Sequence, residues 1–204
     1  MSETIGLVFG TTNPAKVLQI QGALAGTNVH IEGLSPDEVI DVPEDGDTAE
    51  VNARIKATAY AKHLGRTVFS MDNALYFDNL PDTEQPGLHV RRLGGTDIPA
   101  TDEDMVAHYA AFVEQHGGRM TASWRFGVAI ARADGSCNSM TIRSPRIFTG
   151  TPSEQRVSGY PLESLQLEPS SGKYLAELSE EDQAAFWQQT IGREIAEFVE
   201  NHIS

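Results

Sequence analysis

Apolar residues recur along the chain in runs whose lengths and spacing predict alternating strands and helices. The stretch Thr4–Gly10 (TIGLVFG) reads as a buried strand. Pro14 follows where a helix can begin, because the first turn does not need its missing N–H, and that helix runs to about Leu24. A second strand is predicted over Val29–Leu34. The acidic stretch Ser35–Asp47 contains two prolines and a glycine and reads as a loop. Thr48 can cap a helix running to about Leu64, with Gly65 as its stop. Thr67–Met71 predicts a short strand and Ala74–Phe77 another beyond a turn, before a loop over Asn79–Gly87.

In the second half, Thr101 and Asp104 form a capping-box start for a helix reaching about His116, closed by Gly117 and Gly118. Met120–Arg132 and Ser139–Phe148 flank the turn Ala133-Asp134-Gly135-Ser136, the pattern of a long hairpin. Thr149–Gly172 is rich in proline, glycine and serine and reads as loop. Ser179 caps an acidic first turn leading into one helix or two, ending near His202. The order predicts an α/β fold, a mixed twisted sheet with flanking helices. No linker interrupts it, so residues 1–204 read as a single domain of two lobes, the second over roughly 119–172.

Composition narrows the functions available. The chain has 204 residues, and a net charge of −14 argues against partners that are nucleic acid polymers or anionic membranes. No apolar run approaches the roughly 20 residues of a membrane helix. The N-terminal MSETIGLVFG carries an acid where a signal peptide has basic residues, so a cytoplasmic location is expected. Cys137 is the only cysteine, which excludes an internal disulfide and reads as a buried unpaired thiol. The six histidines lack the i, i+4 pairing of a zinc helix, and no serine sits in a G-x-S-x-G elbow.

Four stretches could carry chemistry. Thr11-Thr12-Asn13-Pro14-Ala15-Lys16 joins a strand to a helix, where unpaired N–H groups and the helix dipole favour a phosphate; an ordinary capped turn has the same sequence. Glu44, Asp45 and Asp47 precede the helix on which Asn52 and Lys56 share a face. Loop carboxylates can hold Mg²⁺, and an acidic first turn also suits the dipole alone. Ser70-Met71-Asp72-Asn73 ends a short strand and reads equally as a site at a sheet edge or as a turn. Gly159-Tyr160-Pro161-Leu162-Glu163 offers an aromatic ring that could stack on a base or cover the core.

In their order and spacing these stretches resemble the inosine triphosphate pyrophosphatase family, enzymes that remove non-standard purine nucleotides. The family's T-x-N-x-x-K is matched by Thr11/Thr12-Asn13 and Lys16. Its acid before a glycine and its T-x-x-x-N-A-x-x-K-A are matched by Glu44-Asp45-Gly46-Asp47-Thr48 and Asn52-Ala53-Arg54-Ile55-Lys56-Ala57. D-D-S-G-L becomes Met71-Asp72-Asn73-Ala74-Leu75, and P-G-x-x-S-x-R becomes Pro86-Gly87-Leu88-His89-Val90-Arg91-Arg92. G-F-G-Y-D-P is similar to Gly159-Tyr160-Pro161-Leu162-Glu163-Ser164, and G-K-x-x-A-E-L to Gly172-Lys173-Tyr174-Leu175-Ala176-Glu177-Leu178. Departures are Met71 for the first aspartate, Val51 for a glutamate, Asp182 for a lysine, and Phe186-Trp187-Gln188 for the base-reading S-H-R.

The resemblance implies an elongated two-lobed fold with a central cleft and a homodimer. It implies an Mg²⁺-dependent hydrolase that cleaves a nucleoside triphosphate between the α- and β-phosphates to monophosphate and pyrophosphate. Glu44 and Asp72 are then the metal ligands, and Asp72 and Lys16 the catalytic residues. Thr11, Thr12, Asn13, Lys16, Lys56, Asn73, Tyr160, Glu163, Trp187 and Gln188 bind the substrate. Loss of the S-H-R donors implies altered base specificity; Phe186, Trp187 and Gln188 either form a changed base pocket or pack as helix core. Two other readings stay open: a degenerate member that binds a nucleotide or a protein without turnover, and a pyrophosphatase of the septum-formation-inhibitor type acting on modified pyrimidine nucleotides.

Overall fold

A computed structural model describes residues 4–93 and 98–203; the N-terminal acid noted above lies outside them. The chain order is β1 (Ile5–Phe9), α1 (Pro14–Ala23), β2 (Val29–Gly33), α2 (Ala49–Leu64), β3 (Val68–Phe77), α3 (Asp102–Gln115), β4 (Arg119–Ala131), β5 (Cys137–Thr149), β6 (Gln166–Leu167), α4 (Glu180–Trp187) and α5 (Arg193–Ile203). The strands pair in the order β2-β1-β3-β4-β5-β6, with β1 parallel to β2 and β3, and β5 antiparallel to β6. This is the mixed α/β fold expected.

The helix boundaries follow the local chemistry. Thr48 accepts from the Val51 amide at the start of α2, and Gly65 ends it at φ 63°, a left-handed conformation that glycine adopts without a Cβ penalty. Thr101 and Asp104 close a reciprocal capping box on α3. The C-terminal helix is two, α4 and α5, joined by a π-helical segment over Gln188–Gly192. A Cβ on Gly192 would lie 2.1 Å from the Ala23 carbonyl oxygen, so this glycine lets the segment press on the end of α1.

Two expectations are corrected. The predicted pair of strands around residue 72 is one strand, β3, that runs through Asp72 and Asn73 without a turn. Both residue types are depleted in strands, and here the hydrogen bond that Asp72 accepts from Asn52 and the partial burial of both residues keep them in the ladder. The predicted loop Thr149–Gly172 contains a 3-10 turn, Pro161–Leu165, whose five residues are all buried, followed by β6. Its Pro, Gly and Ser content describes the flanks rather than the centre.

The chain forms two compact units. The first comprises residues 1–73, 125–142 and 184–204, and the second 74–124 and 143–183. The first has a core of Val8, Ala53, Ala57, Tyr60, Ala61, Val68, Ala129 and Ala131. Small residues let α2 approach β4 closely: a Cβ on Gly127 would fall 2.2 Å from the backbone of Ala49 and Glu50. The second is built on Leu75, Phe77, Val90, Met105, Tyr109, Val113, Ala122, Phe148, Leu162 and Leu165. Cys137 is a half-buried free thiol.

Candidate active site

In the first unit, the ends of two parallel strands set the position of the site. Phe9 pairs with Phe69, and the Gly10 amide donates to the Phe69 carbonyl at 2.8 Å, so segment 10–13 leaves the end of β1 beside residues 70–73, where β3 continues. Ligands of parallel α/β sheets bind outside such carboxyl ends. Ser70 fixes the edge by donating its hydroxyl to the Gly10 carbonyl at 3.2 Å. Gly10 must be glycine, because a Cβ there would meet the Tyr60 ring at 2.9 Å.

Asn13 is the N-cap of α1. Its Oδ1 accepts from the amides of Ala15 at 2.9 Å and Lys16 at 3.4 Å, and Thr11 Oγ1 accepts from the Asn13 amide at 3.2 Å. The cap already satisfies two amides of the first turn. What this segment can offer a phosphate is therefore the Thr11 and Thr12 side, together with the Lys16 ammonium. Thr12 is exposed and Lys16 half-buried.

The face of α2 supplies the second part. Asn52 and Lys56, one turn apart, are both buried. Asn52 Oδ1 accepts from the Gly46 amide at 2.8 Å, and its Nδ2 donates to Asp72 Oδ2 at 3.1 Å. A single side chain thereby ties the acidic loop to β3. Lys56 Nζ lies 2.7 Å from Glu44 Oε2 and 3.5 Å from Asp72 Oδ1. Glu44 and Asp72, distant in sequence, thus share one ammonium. Gly46 makes the loop possible, since a Cβ would collide with Val51 and Asn52 Oδ1. Asp45 and Asp47 are exposed.

Asn73 lies beside Asp72, and its Oδ1 is buried with no hydrogen-bond partner among the described residues, a position that costs free energy until a donor arrives. Met71 is fully buried in the core and Val51 is 40% exposed on α2. The two acids missing relative to the family pattern are therefore replaced by a core residue and a surface residue. Trp187 is buried, edge-on to Phe126 and Phe186. Gln188 Nε2 donates to the Ala25 carbonyl at 3.0 Å.

Tyr160 and Glu163 belong to the second unit. Gly159, in a left-handed conformation at φ 80°, is held from both sides: its amide donates to Asp102 Oδ2 at 3.3 Å and its carbonyl accepts from Arg91 Nη2 at 3.3 Å. Arg91 and Asp102 are themselves paired at 2.9 Å. Tyr160 is half-buried, and burial raises its phenol pKa. Glu163 is 3% exposed; burial pushes its carboxyl up to about 7, against the pull of Arg146 and a hydrogen bond from Gln183. Arg146, also 3% exposed, is lowered to about 10 by burial.

Asp102, Arg146 and Gln183 were not singled out from the sequence. For Arg146 a signal existed: it falls in phase with Ile142, Ser144 and Phe148, the buried alternate positions of β5. Asp102 reads only as a helix-start acid, and Gln183 carries no sequence signal.

No group of three or more His, Cys, Asp or Glu side chains suited to a metal occurs among the described residues. Glu44 and Asp72 are a hard-oxygen pair, which fits Mg²⁺, an ion that takes one or two carboxylates and completes its shell with water and substrate phosphates.

Comparison with known proteins agrees in family and fold. The Ham1 family model matches residues 7–189. A dITP/XTP pyrophosphatase of Exiguobacterium sp. is 32% identical over 180 residues, covering 87% of this chain and 88% of that protein. A HAM1 protein from Coxiella burnetii superposes with a TM-score of 0.74 at 20% identity, covering 97% of this chain and 100% of that one. A nucleoside-triphosphatase/dITP/XTP pyrophosphatase from Mycobacterium abscessus gives 0.67 at 25% identity, covering 96% and 99%.

Proposed function

The chain belongs to the Ham1 family, and on that premise we propose that it is a nucleoside triphosphate pyrophosphatase, releasing pyrophosphate and a nucleoside monophosphate. The observation that carries the reading is the pair Glu44 and Asp72 meeting at one ammonium, with Asn52 orienting Asp72. A chain of net charge −14 needs local compensation to hold a triphosphate.

Glu44 and Asp72 would hold Mg²⁺, which when bound supplies positive charge against the triphosphate oxygens. Lys16 and Lys56 add the protein's own cations, and Thr11, Thr12, Asn13 and Asn73 are the polar contacts around them. Asn52 donates to Asp72 Oδ2 and Lys56 reaches Asp72 Oδ1 at 3.5 Å, which together fix the carboxylate plane beside the water's proposed position. Asp72 orients that water and takes its proton. The water's oxygen bonds to phosphorus as the α–β bridging bond breaks and pyrophosphate leaves. Phosphoryl chemistry of this kind depends mainly on positioning and charge.

In the second unit Tyr160 is the proposed stacking ring and Glu163 a base-side group. Trp187 and Gln188 remain proposed base-side residues, but Trp187 can contribute only an edge while its ring stays in the aromatic cluster. The base specificity is proposed to differ from that of relatives carrying S-H-R. The proposal includes a cytoplasmic homodimer; no helix of the described residues is long and apolar enough to cross a membrane. The rearranged acids, Met71 and Val51, favour one second reading, nucleotide binding without turnover.

A pyrophosphate-release screen separates these. Wild type with Mg²⁺ is assayed on dITP, XTP, the standard triphosphates and modified pyrimidine triphosphates. Release from purine substrates supports the proposal, and release from modified pyrimidines alone transfers it to the septum-formation-inhibitor type. Nucleotide-dependent thermal stabilisation without product establishes the binding-only reading.

A further inference from the structure

We infer that Asp102 is a positioning residue for base binding: with Arg91 it clamps both backbone groups of Gly159 and so fixes where the Tyr160 ring stands. This rests on the proposed stacking role of Tyr160, and adds the part of the second unit that holds the ring.

α3 opens with three acids, Asp102, Glu103 and Asp104, a pattern that the helix dipole alone would account for. Their bonds separate them. Asp104 completes the capping box, accepting from Thr101 Oγ1 at 2.6 Å. The other two turn to the segment 153–159. Glu103 Oε1 accepts from Arg156 Nε at 2.9 Å, a pair at the surface. Asp102 uses both oxygens: Oδ1 accepts from Arg91 Nη1 at 2.9 Å and Oδ2 from the Gly159 amide at 3.3 Å. Arg91 Nη2 donates to the Gly159 carbonyl at 3.3 Å, which closes a ring of three hydrogen bonds.

The N–H and C=O of Gly159 belong to successive peptide groups, so the ring holds the chain on both sides of one Cα. Gly159 stands at φ 80°, a conformation that glycine reaches without a Cβ penalty and is equally free to leave. The clamp removes that freedom. Tyr160 follows directly, with its amide donating to the Val157 carbonyl at 2.9 Å. Behind it Pro161 opens the buried turn Pro161–Leu165. The ring is thus carried on backbone anchored by packing on one side and by Asp102 on the other.

The clamp acts on geometry more than on stability. Arg91 and Asp102 are each 40% exposed at the side chain, and ion pairs at that exposure add little to global stability. Neither belongs to the resemblance. The arginine of P-G-x-x-S-x-R is matched by Arg92, Arg91 fills the unspecified position before it, and Asp102 lies outside every matched motif.

A stacking ring touches the base and leaves the phosphates alone. Stacking on an aromatic side chain corresponds to about fivefold to a hundredfold in affinity, and it is lost as the ring moves out of place.

The test measures nucleoside monophosphate formation from the triphosphate that the screen shows to react fastest, and inhibition by inorganic tripolyphosphate, which has no base. Wild type, Tyr160→Ala, Asp102→Ala and the double variant are compared. Tyr160→Ala should raise KM at least about fivefold. Asp102→Ala should raise it at least about threefold, with kcat within about twofold of wild type and tripolyphosphate inhibition unchanged. The double variant should exceed the KM of Tyr160→Ala by no more than about twofold, because Asp102 acts through the ring. Asp102→Asn keeps an oxygen for the Gly159 amide and should recover part of the loss. Glu103→Ala breaks the neighbouring surface pair without touching Gly159 and should leave all these constants unchanged.

An unchanged KM in Asp102→Ala, an equal loss of tripolyphosphate affinity, or full additivity in the double variant overturns the inference, while the stacking role stands on the Tyr160→Ala result. An unchanged KM in Tyr160→Ala removes the stacking role and the inference with it. Should Asp102→Ala fail to fold by circular dichroism, Arg91→Met, which removes the other half of the clamp, is held to the same thresholds. If wild type binds nucleotide without turnover, Kd by calorimetry replaces KM and decides in the same way. Absence of any nucleotide binding removes the site and the inference together.

Discussion

The two units handle charge in opposite ways. In the first, Glu44 is 43% exposed at its side chain, Asp72 16% and Lys56 10%, and the three meet as an ion cluster within reach of solvent. Such groups can exchange partners, the ammonium yielding oxygen contacts to an incoming cation or phosphate. In the second, Arg146 and Glu163 are both 3% exposed and act on each other inside the fold. Groups so buried are costly to ionise and costly to disturb. The comparison proposes chemistry for the accessible cluster and a fixed scaffold for the buried pair.

The largest expected effect tests the first half of that assignment. Asp72→Asn removes the proposed proton acceptor and should lower kcat by about 10³-fold, the scale of a lost general base, with Tm close to wild type. Collapse of the fold instead, read by circular dichroism, would make Asp72 structural.

Gly127→Ala forces a Cβ into the backbone of α2, which carries Asn52 and Lys56. A loss of about 3 kcal/mol or more is expected in chemical denaturation, the range of severe overpacking. A loss below 1 kcal/mol would show that α2 can shift away from β4.

Glu163 provides a pH signature for the buried cluster. Its folded pKa, raised to about 7 from 4.5, means that the neutral acid is the favoured form in the fold. Its contribution is fully present below pH 4.5 and is lost as pH rises through 7. The stability of wild type minus that of Glu163→Gln should therefore fall by up to about 3 kcal/mol between pH 4.5 and 8. A flat difference would mean that Glu163 titrates as in the unfolded chain.

The smallest effect concerns the phosphate-side turn. Asn13→Ala removes a cap that holds two amides and should cost about 1 kcal/mol of stability. If Asn13 also touches substrate, KM rises beyond what the stability change explains.

Much of the first unit was legible because its signals are local. Thr48 and Gly65 bracket α2, and the four-residue spacing of Asn52 and Lys56 places both on the face that meets Asp72. β3 reads as two strands because Asp72 and Asn73 have low strand propensity, and what holds Asp72 in the sheet is tertiary: the amide of Asn52 and the ammonium of Lys56. The second unit was harder to read for the same reason. The burial of Pro161–Gln166 depends on packing against residues far away in sequence, so its composition suggested a loop. The Glu163–Gln183 bond joins residues 20 apart across an intervening strand, and no local pattern announces it.

The central claim is that Glu44 and Asp72 together hold a divalent cation, with Lys56 as the cation that balances them within the protein. Its most direct test is pyrophosphate release from dITP as a function of Mg²⁺ concentration, in wild type and Glu44→Gln. The account predicts no release in chelator and a Mg²⁺ half-saturation at least tenfold higher in the variant, with Tm unchanged. Identical Mg²⁺ curves for the two proteins, or full wild-type activity in chelator, would contradict it.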